Sequence, residues 1–146
     1  MKKLFISVPM RNRTKENIKN SIDKMHKLAE FMFDEELEVV NSYFEDYPTI
    51  LDKDVETVKD ILNYNVPEHT NSSIWYLGES IKLIAQADYF IGIYSDCYTG
   101  CDIEASVARR YGIPSRIINI HDYTFFEDAV KLEQDFYSCA SKSCGY

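Results

Sequence analysis

One stretch of the sequence decides the fold: YFIGIYSDCYTGCDIEASVARRYGIPSRIINI, from Tyr89 to Ile120. It opens with the apolar run YFIGIY and closes with the run SRIINI, and both predict buried strands. Between them, the segment GCDIEASVARRYG predicts a helix that ends at Gly112. A strand, a helix and a second strand in this order predict two parallel strands joined by a crossover helix.

The same alternation extends over the rest of the chain. The apolar run from Leu4 to Val8, closed by Pro9, predicts a first strand, and Thr14 predicts the N-cap of an amphipathic helix that ends near Asp34. Further segments predict a strand (LEVVNSYF), a helix (SIWYLGESIKLIAQAD) and a last helix (FFEDAVKLEQDFYSCA). We therefore expect an α/β fold, with a parallel sheet of about four or five strands and helices on both faces.

The length of 146 residues predicts a single domain that spans residues 1–146. Residues 45–72 break the regular pattern with two prolines, and we expect a long excursion there that carries one short helix. Residues 140–146 are expected to form a disordered tail.

The net charge of −8 argues against nonspecific binding to nucleic acid or to anionic membranes, because both partners carry negative charge. The sequence contains no apolar run long enough to span a membrane, and the short run at the N-terminus is better explained by a buried strand than by a signal peptide. We expect a cytoplasmic protein.

The chain has four cysteines, and their spacing differs from the tight C-x-x-C pairs of common metal sites. We expect reduced thiols and no bound metal. The cysteines are Cys97, Cys101, Cys139 and Cys144.

Ligands of open parallel sheets bind where the strands end, at the point where the strand order reverses. Three segments of this chain are expected at that edge: SVPMRNR, NSYFEDYP and YSDCYTGCDIE. The residues that these segments place around one cleft are Met10, Arg11, Tyr43, Asp46, Asp96, Thr99, Gly100 and Glu104.

Glu104 has two interpretations, which the residues leave open. A carboxylate in the first turn of a helix is kept ionised by the exposed amides and the helix dipole, and it can act as a nucleophile or stabilise a cation at a sugar carbon. The same dipole also favours acidic residues that only stabilise the helix, and the nearby Asp102 slightly favours this second interpretation.

Three motifs together resemble the nucleoside 2-deoxyribosyltransferase superfamily, which includes the 2′-deoxynucleoside 5′-phosphate N-hydrolases: ISVPMR, IKLIAQADYFIGIY and GCDIEASVARRYGIP. The similarity extends from Lys3 to Asn119. It is greatest to a branch found in phages and bacteria, with PMR, VxxSYFE, WYLGxS and GCxIExxVAxxYGI in this order.

The resemblance implies a flavodoxin-like or Rossmann-like fold and cleavage of an N-glycosidic bond, with Glu104 as the nucleophile and Asp96 or Glu79 as the helper at the departing base. It implies a small-molecule nucleoside or nucleotide ligand, no cofactor, and a homodimer or larger homo-oligomer. Arg11 and Arg13 favour a phosphate on the ligand without requiring one. The predicted substrate-binding residues are Ser7, Pro9, Met10, Arg11, Tyr43, Tyr94, Thr99, Gly100 and Asn119.

The sequence does not decide between a hydrolase and a transferase. A second hypothesis is a protein that binds a nucleotide or a nucleotide-derived signal without cleaving it. A third hypothesis, a structural or partner-binding protein, rests on the excursion at 45–72 and on the many tyrosines.

Overall fold

The computed structural model describes residues 1–40, 67–94 and 97–138 of the chain. Most of the predicted excursion at 45–72 and the whole tail at 140–146 lie outside the described residues. Within these ranges no helix combines the length and the apolar character needed to cross a membrane.

The described strands form one four-stranded sheet in which every pairing is parallel. Their order is β2-β1-β3-β4, so the chain moves from β1 to one side and then crosses back to the other side with β3. The predicted parallel α/β fold is confirmed, and the switch point lies between β1 and β3. The strands are β1 (Lys2–Ile6), β2 (Leu37–Val39), β3 (Tyr89–Tyr94) and β4 (Ser115–Asn119).

Four α-helices and two short 3-10 helices connect or follow these strands in the described part of the chain. The α-helices are α1 (Lys15–Phe33), α2 (Ser72–Ile84), α3 (Thr99–Arg110) and α4 (Glu127–Ser138), and the 3-10 helices are Ile120–Asp122 and Thr124–Phe126.

The predicted helix ends follow local chemistry. The Thr14 side chain accepts a hydrogen bond from the backbone N–H of Asn17 at 3.1 Å, which caps the start of α1. Asp34 ends α1 in the left-handed conformation, with φ of 54°. Gly112 follows α3 with φ of 80°, a conformation that glycine adopts without steric cost. These three predictions are confirmed.

The sheet separates two apolar layers. On one face, Leu4 and Ile6 of β1 pack with Met25 of α1 and Ala129 of α4, and on the other face Phe5 packs against α2 and α3. Alternate residues of a strand point to opposite faces, so β1 supplies both layers. The expectation of helices on both faces is confirmed.

Helix α3 packs closely on the sheet because the residues at their contact are small. Ala105 and Ala108 are buried against the sheet, and Gly92 of β3 faces the same layer. A Cβ atom added at Gly92 would lie 2.6 Å from the Phe90 ring, which stacks on Phe5 with a centroid distance of 5.7 Å. The close packing also brings Glu104, the residue before Ala105, to the end of β1.

The buried face of α2 differs from the predicted one. The apolar spacing of SIWYLGESIKLIAQAD predicts one helix face that contains Ile74, Leu77, Ile81, Ile84 and Ala85. Ile74 is 67% exposed, whereas Ile84 is fully buried. Ala85 lies after the end of the helix and is exposed. The apolar spacing of α2 predicts a stripe, and only packing against α3 determines which part of that stripe becomes buried.

Candidate functional site

The Glu104 carboxyl is buried where strand β1 ends. Its residue is 3% exposed, and it lies on the side of α3 that faces the sheet. Ser7 directly follows β1, and its backbone N–H donates to Ile91 O of β3 at 2.9 Å. The two residues therefore lie beside the switch point between β1 and β3, the expected position of a ligand site.

Two serines act on the Glu104 carboxyl. Ser7 donates a hydrogen bond from Oγ to Oε1 of Glu104 at 2.8 Å, although 97 residues separate the two in sequence. Ser80, on α2, is the other serine that favours the charged form of this carboxyl and so lowers its pKa. Ser7 and Ser80 are 2% and 4% exposed, so both serines are shielded from water.

Burial raises the pKa of Glu104 to about 7, because the charged form loses its hydration inside the protein. The hydrogen bonds from Ser7 and Ser80 oppose this effect, since both stabilise the carboxylate. At neutral pH the carboxyl is therefore close to its titration midpoint. It can serve as a nucleophile when ionised and as a proton donor when protonated.

The predicted position of Glu104 in the first turn of the helix is wrong. The helix begins at Thr99, so Glu104 lies in the second turn and Asp102 is the acidic residue of the first turn. The helix dipole acts mainly within the first turn, so it does not hold Glu104 ionised. The Glu104 side chain also does not cap the helix, since it binds Ser7 instead.

The thiol of Cys101 is a second buried titratable group of α3. Cys101 is 4% exposed, and burial raises its pKa well above the usual range. The Glu104 carboxylate raises that pKa further, whereas a hydrogen bond with Ser7 lowers it.

A cavity of about 20 Å³ lies at the edge of the sheet where the strands end, which is here named the carboxyl edge. A cavity of this size holds roughly one water molecule. It brings together four predicted substrate-binding residues, but the Glu104 side chain does not line it. The lining residues are Val8, Pro9, Met10, Arg11, Tyr98, Gly100 and Cys101.

The start of α3 borders this cavity, and the N-terminal end of a helix carries a partial positive charge. Tyr98, the N-cap residue, forms no side-chain hydrogen bond to the helix, and Gly100 and Cys101 of the first turn line the cavity. Exposed Arg11 also lines the cavity. Amides at a helix start together with an arginine suit an anionic group such as a phosphate.

Arg13 is not available to a phosphate. Its side chain is fully buried and forms an ion pair with Asp128, with 2.7 Å between Nε and Oδ2. It also donates to Pro9 O at 2.9 Å and to Ser21 Oγ at 2.8 Å. The expectation that Arg13 contributes to phosphate binding is therefore wrong, because the guanidinium is used to join the loop after β1 to α1 and α4.

The tyrosines near the carboxyl edge differ in exposure. Tyr94, the last residue of β3, is 63% exposed, and its ring is available for stacking. Tyr98 is 8% exposed and packs in the layer with α1 and α4, where its hydroxyl donates to Ala129 O at 3.3 Å. Tyr98 is therefore a core residue, and its ring is not available to stack on a base.

The remaining predicted residues lie apart from Glu104 or outside the description. Thr99 is exposed in the first turn of α3. Asn119 ends β4, and its side-chain oxygen accepts the N–H of His121 at 3.0 Å. Tyr43, Asp46 and Asp96 lie outside the described residues.

Glu79 does not meet Glu104 among the described contacts. Its carboxylate accepts a hydrogen bond from Lys82 Nζ at 3.0 Å on the outer side of α2. Neighbouring residues of a helix point about 100° apart, so the buried Ser80 and the Glu79 carboxylate that binds Lys82 lie on different sides of α2. The predicted helper role of Glu79 is not supported by this geometry.

The sequence reasoning missed Ser80. A signal was present, since Leu77, Ser80 and Ile84 follow the three- and four-residue steps of a buried helix face. A serine at such a position needs a hydrogen-bond partner inside the protein. The partner itself could not be read from the sequence.

The described residues contain no group of three or more histidine, cysteine, aspartate or glutamate side chains that could hold a metal ion. Cys97 and Cys101 are free and buried. Cys139 and Cys144 lie outside the described residues.

Comparisons of the chain with protein-family models, with curated proteins and with solved structures found no match. The resemblance carried by the sequence motifs stays a prediction.

Proposed function

We propose that this protein cleaves the N-glycosidic bond of a nucleoside, a nucleotide or a related metabolite, with Glu104 as the nucleophile. The observation that carries this proposal is the buried Glu104 carboxyl beside the switch point, bound by Ser7 and with a pKa of about 7. Carboxyl groups with strongly shifted pKa values are enriched at functional sites. The motif around Glu104 supports the same chemistry.

In the proposed reaction the Glu104 carboxylate attacks the anomeric carbon of the sugar. The carbon–nitrogen bond breaks, its electron pair stays on the base, and the base nitrogen takes up a proton. The product is a sugar ester of Glu104. Water or the nitrogen of a second base then attacks the anomeric carbon, and the ester bond breaks to release the carboxylate.

The ligand in this proposal lies at the carboxyl edge and not within the small cavity, since ligand sites usually measure hundreds of Å³. Tyr94 offers an exposed aromatic surface for a base. Arg11 and the start of α3 offer positive character for a phosphate. A substrate with a 5′-phosphate fits this distribution of groups.

The test is an incubation with a panel of ribo- and deoxyribonucleosides and their 5′-monophosphates, with released base measured by chromatography. A second free base is added in parallel, and exchange of bases distinguishes a transferase from a hydrolase. We expect base release from at least one member of the panel. Glu104→Gln, which keeps the size of the side chain, should lower that rate by roughly a thousandfold or more.

Asp102→Asn provides the matched control. It removes an acidic group from an exposed position of the same helix, two residues from Glu104. The control should keep the rate of the unmodified protein. Base release that persists undiminished in a folded Glu104→Gln variant would contradict the assignment of the nucleophile.

A second candidate function is binding of a nucleotide without cleavage. It is favoured by the enclosure of Glu104, whose 3% exposure leaves little carboxyl surface for a sugar to approach. A binding titration followed by mass analysis of the recovered ligand separates the two functions. An intact ligand recovered in stoichiometric amount supports the binder, and free base supports the enzyme.

The homo-oligomer implied by the motifs also stays a proposal. Light scattering coupled to size-exclusion chromatography measures the particle mass, and a mass of 17.0 kDa, that of one chain, would contradict it.

A further inference from the structure

The hydroxyl of Ser7 is directed at the Glu104 carboxyl inside the protein. Ser7 was predicted to bind the substrate, but this residue is only 2% exposed. Its Oγ lies 2.8 Å from Oε1 of Glu104, which is itself 3% exposed. An ionised carboxylate can only accept hydrogen bonds, so Ser7 is the donor when Glu104 is charged. The single proton of the hydroxyl is therefore used on the acid and is not available to a ligand.

The sheet fixes the position of Ser7. Its backbone N–H donates to Ile91 O of β3 at 2.9 Å, which continues the pairing of β1 with β3. The residues on both sides of it, Ile6 and Val8, are buried in the apolar layer with α1 and α4. Alternate residues of an extended chain point to opposite faces, so Ser7 points to the face that α3 covers. A donor held in this way has little freedom to move away from the carboxyl.

Glu104 reaches Ser7 from the helix side of the same layer. The other side chains that α3 buries are small, and they include Cys101, Ala105 and Ala108. A glutamate has three rotatable side-chain bonds, so it spans the distance to the sheet but loses conformational freedom when it is held there. The hydrogen bond to a fixed donor therefore selects one arrangement of the carboxyl among several that the side chain could adopt.

The groups around Glu104 supply no positive charge in the described part of the chain. No described lysine, arginine or histidine forms an ion pair with it. On α3, the thiol of Cys101 is kept neutral by burial, and Asp102 is exposed. On α2, Ser80 favours the charged form of the carboxyl. The hydrogen bond from Ser7 is the contact that joins the carboxylate directly to the sheet.

We propose that Ser7 is a positioning residue, which ties the Glu104 carboxylate to the end of β1 and holds it in one orientation. Ser7 acts through Glu104 and does not bind the substrate. The part of this inference that concerns catalysis rests on the proposed function, in which the carboxylate attacks the anomeric carbon. The part that concerns the carboxylate itself requires no substrate.

The first experiment measures the ionisation of Glu104 in the full chain. Carboxyl signals are followed against pH by NMR with ¹³C-labelled glutamate, and Glu104→Gln identifies the signal of Glu104. In Ser7→Ala the carboxylate loses a donor, so its titration midpoint should rise by roughly one pH unit. Ser7→Thr keeps a hydroxyl, so its midpoint should stay near that of the parent protein. Ser7→Cys, with a weaker donor of similar size, provides the same test if Ser7→Ala does not fold.

Ser21→Ala provides the matched control. Ser21 is fully buried, and its hydroxyl donates to Phe125 O at 2.8 Å in the layer on the other face of the sheet. This variant also loses a buried hydroxyl, but it should leave the midpoint of Glu104 in place. An unchanged midpoint in folded Ser7→Ala, or an equal shift in Ser21→Ala, would overturn the inference.

The second experiment uses the substrate found in the panel described above. In Ser7→Ala, kcat should fall about tenfold or more with little change in KM, because positioning acts on the chemical step. The pH at which the rate is half-maximal should move upward with the titration midpoint, and Ser7→Thr should recover most of kcat. A raised KM at unchanged kcat would show that Ser7 binds the substrate, and the inference would be wrong.

The two experiments separate failure of the inference from failure of the proposed function. A moved midpoint with no base released from any member of the panel supports the role of Ser7 in holding the carboxylate and contradicts the glycosidic chemistry. A fixed midpoint contradicts the role of Ser7, whatever the panel gives.

Discussion

Arg13 and Asp128 form a bidentate ion pair, with 2.7 Å between Nε and Oδ2 and 2.9 Å between Nη2 and Oδ1. The pair joins the loop after β1 to the first turn of α4, across 115 positions of the sequence. Arg13 also lies over the Phe126 ring, with 5.5 Å between the guanidinium carbon and the ring centroid. These contacts of Arg13 anchor the loop that carries Met10 and Arg11 to the layer formed by α1 and α4.

The first prediction concerns this ion pair. Asp128→Ala leaves the buried Arg13 guanidinium without its counter-ion, so we expect a loss of about 3 kcal/mol in the free energy of unfolding measured with urea. Lys82→Ala is the control, since it breaks the exposed pair with Glu79 and should cost less than about 1 kcal/mol. Equal losses in the two variants would contradict the structural importance of Arg13.

The second prediction concerns the space around Gly92. Gly92→Ala places a methyl group 2.6 Å from the Phe90 ring, which cannot turn away freely because it is buried and stacked on Phe5. We expect a loss of roughly 1–3 kcal/mol in the free energy of unfolding. Gly78→Ala is the control, because nothing lies within 4 Å of its added Cβ and α2 is helical there. The Gly78→Ala variant should be stabilised by up to about 1 kcal/mol. If Gly92→Ala is as stable as the parent protein, the sheet and α3 have room to separate and the prediction is wrong.

The third prediction concerns the pH dependence of stability. The pKa of Glu104 is about 7 in the folded protein and 4.5 for an unperturbed carboxyl. Between these pH values the unfolded chain releases the proton that the folded protein keeps, so Glu104 makes stability fall as pH rises. The contribution is fully present below pH 4.5 and is lost as pH rises through 7.

Glu104→Gln removes this titration. The difference in unfolding free energy between the variant and the parent should therefore shift in favour of the variant by about 3 kcal/mol from pH 4.5 to pH 8. Urea unfolding at a series of pH values measures it. Asp102→Asn, at an exposed position, should follow the parent curve, and a constant difference for Glu104→Gln would refute the raised pKa.

The fourth prediction concerns the buried thiols. Cys97 and Cys101 are 6% and 4% exposed, and the raised pKa of Cys101 keeps its thiol protonated at neutral pH. Alkylation by iodoacetamide, followed by peptide mass analysis, should modify Cys101 only slowly in the folded protein and rapidly in urea. Rapid labelling of Cys101 under native conditions would show that the carboxyl edge opens to the reagent.

Local features of the sequence were sufficient for most of the fold. Strand and helix periodicities, the N-cap at Thr14 and the helix end at Gly112 depend on neighbours within a few residues, and the structure has a strand, a helix or a helix end near each of these positions. The first strand was predicted at Leu4–Val8 and is observed at Lys2–Ile6. Strand ends depend on pairing with other strands, which local sequence does not specify.

The candidate site depends on contacts between distant residues, and the sequence predicted it less completely. Glu104 and Ser7 were both identified, but their hydrogen bond spans 97 positions. The burial that raises the pKa of Glu104 results from packing of α2, α3 and the sheet, and so does the effect of Ser80 on that pKa. Arg13 was misassigned for the same reason, since its partner Asp128 lies on the last helix.

The backbone bond from Ser7 to Ile91 has a further consequence for how this scaffold can be varied. The groups that hold Glu104 belong to the sheet and to two helices, whereas Met10 and Arg11 lie on a connecting loop. In the proposed function, replacing the tip of that loop, with Arg13 retained, should alter which ligand binds without moving the acid. Chimeras with exchanged loop tips should therefore keep the same titrating carboxyl.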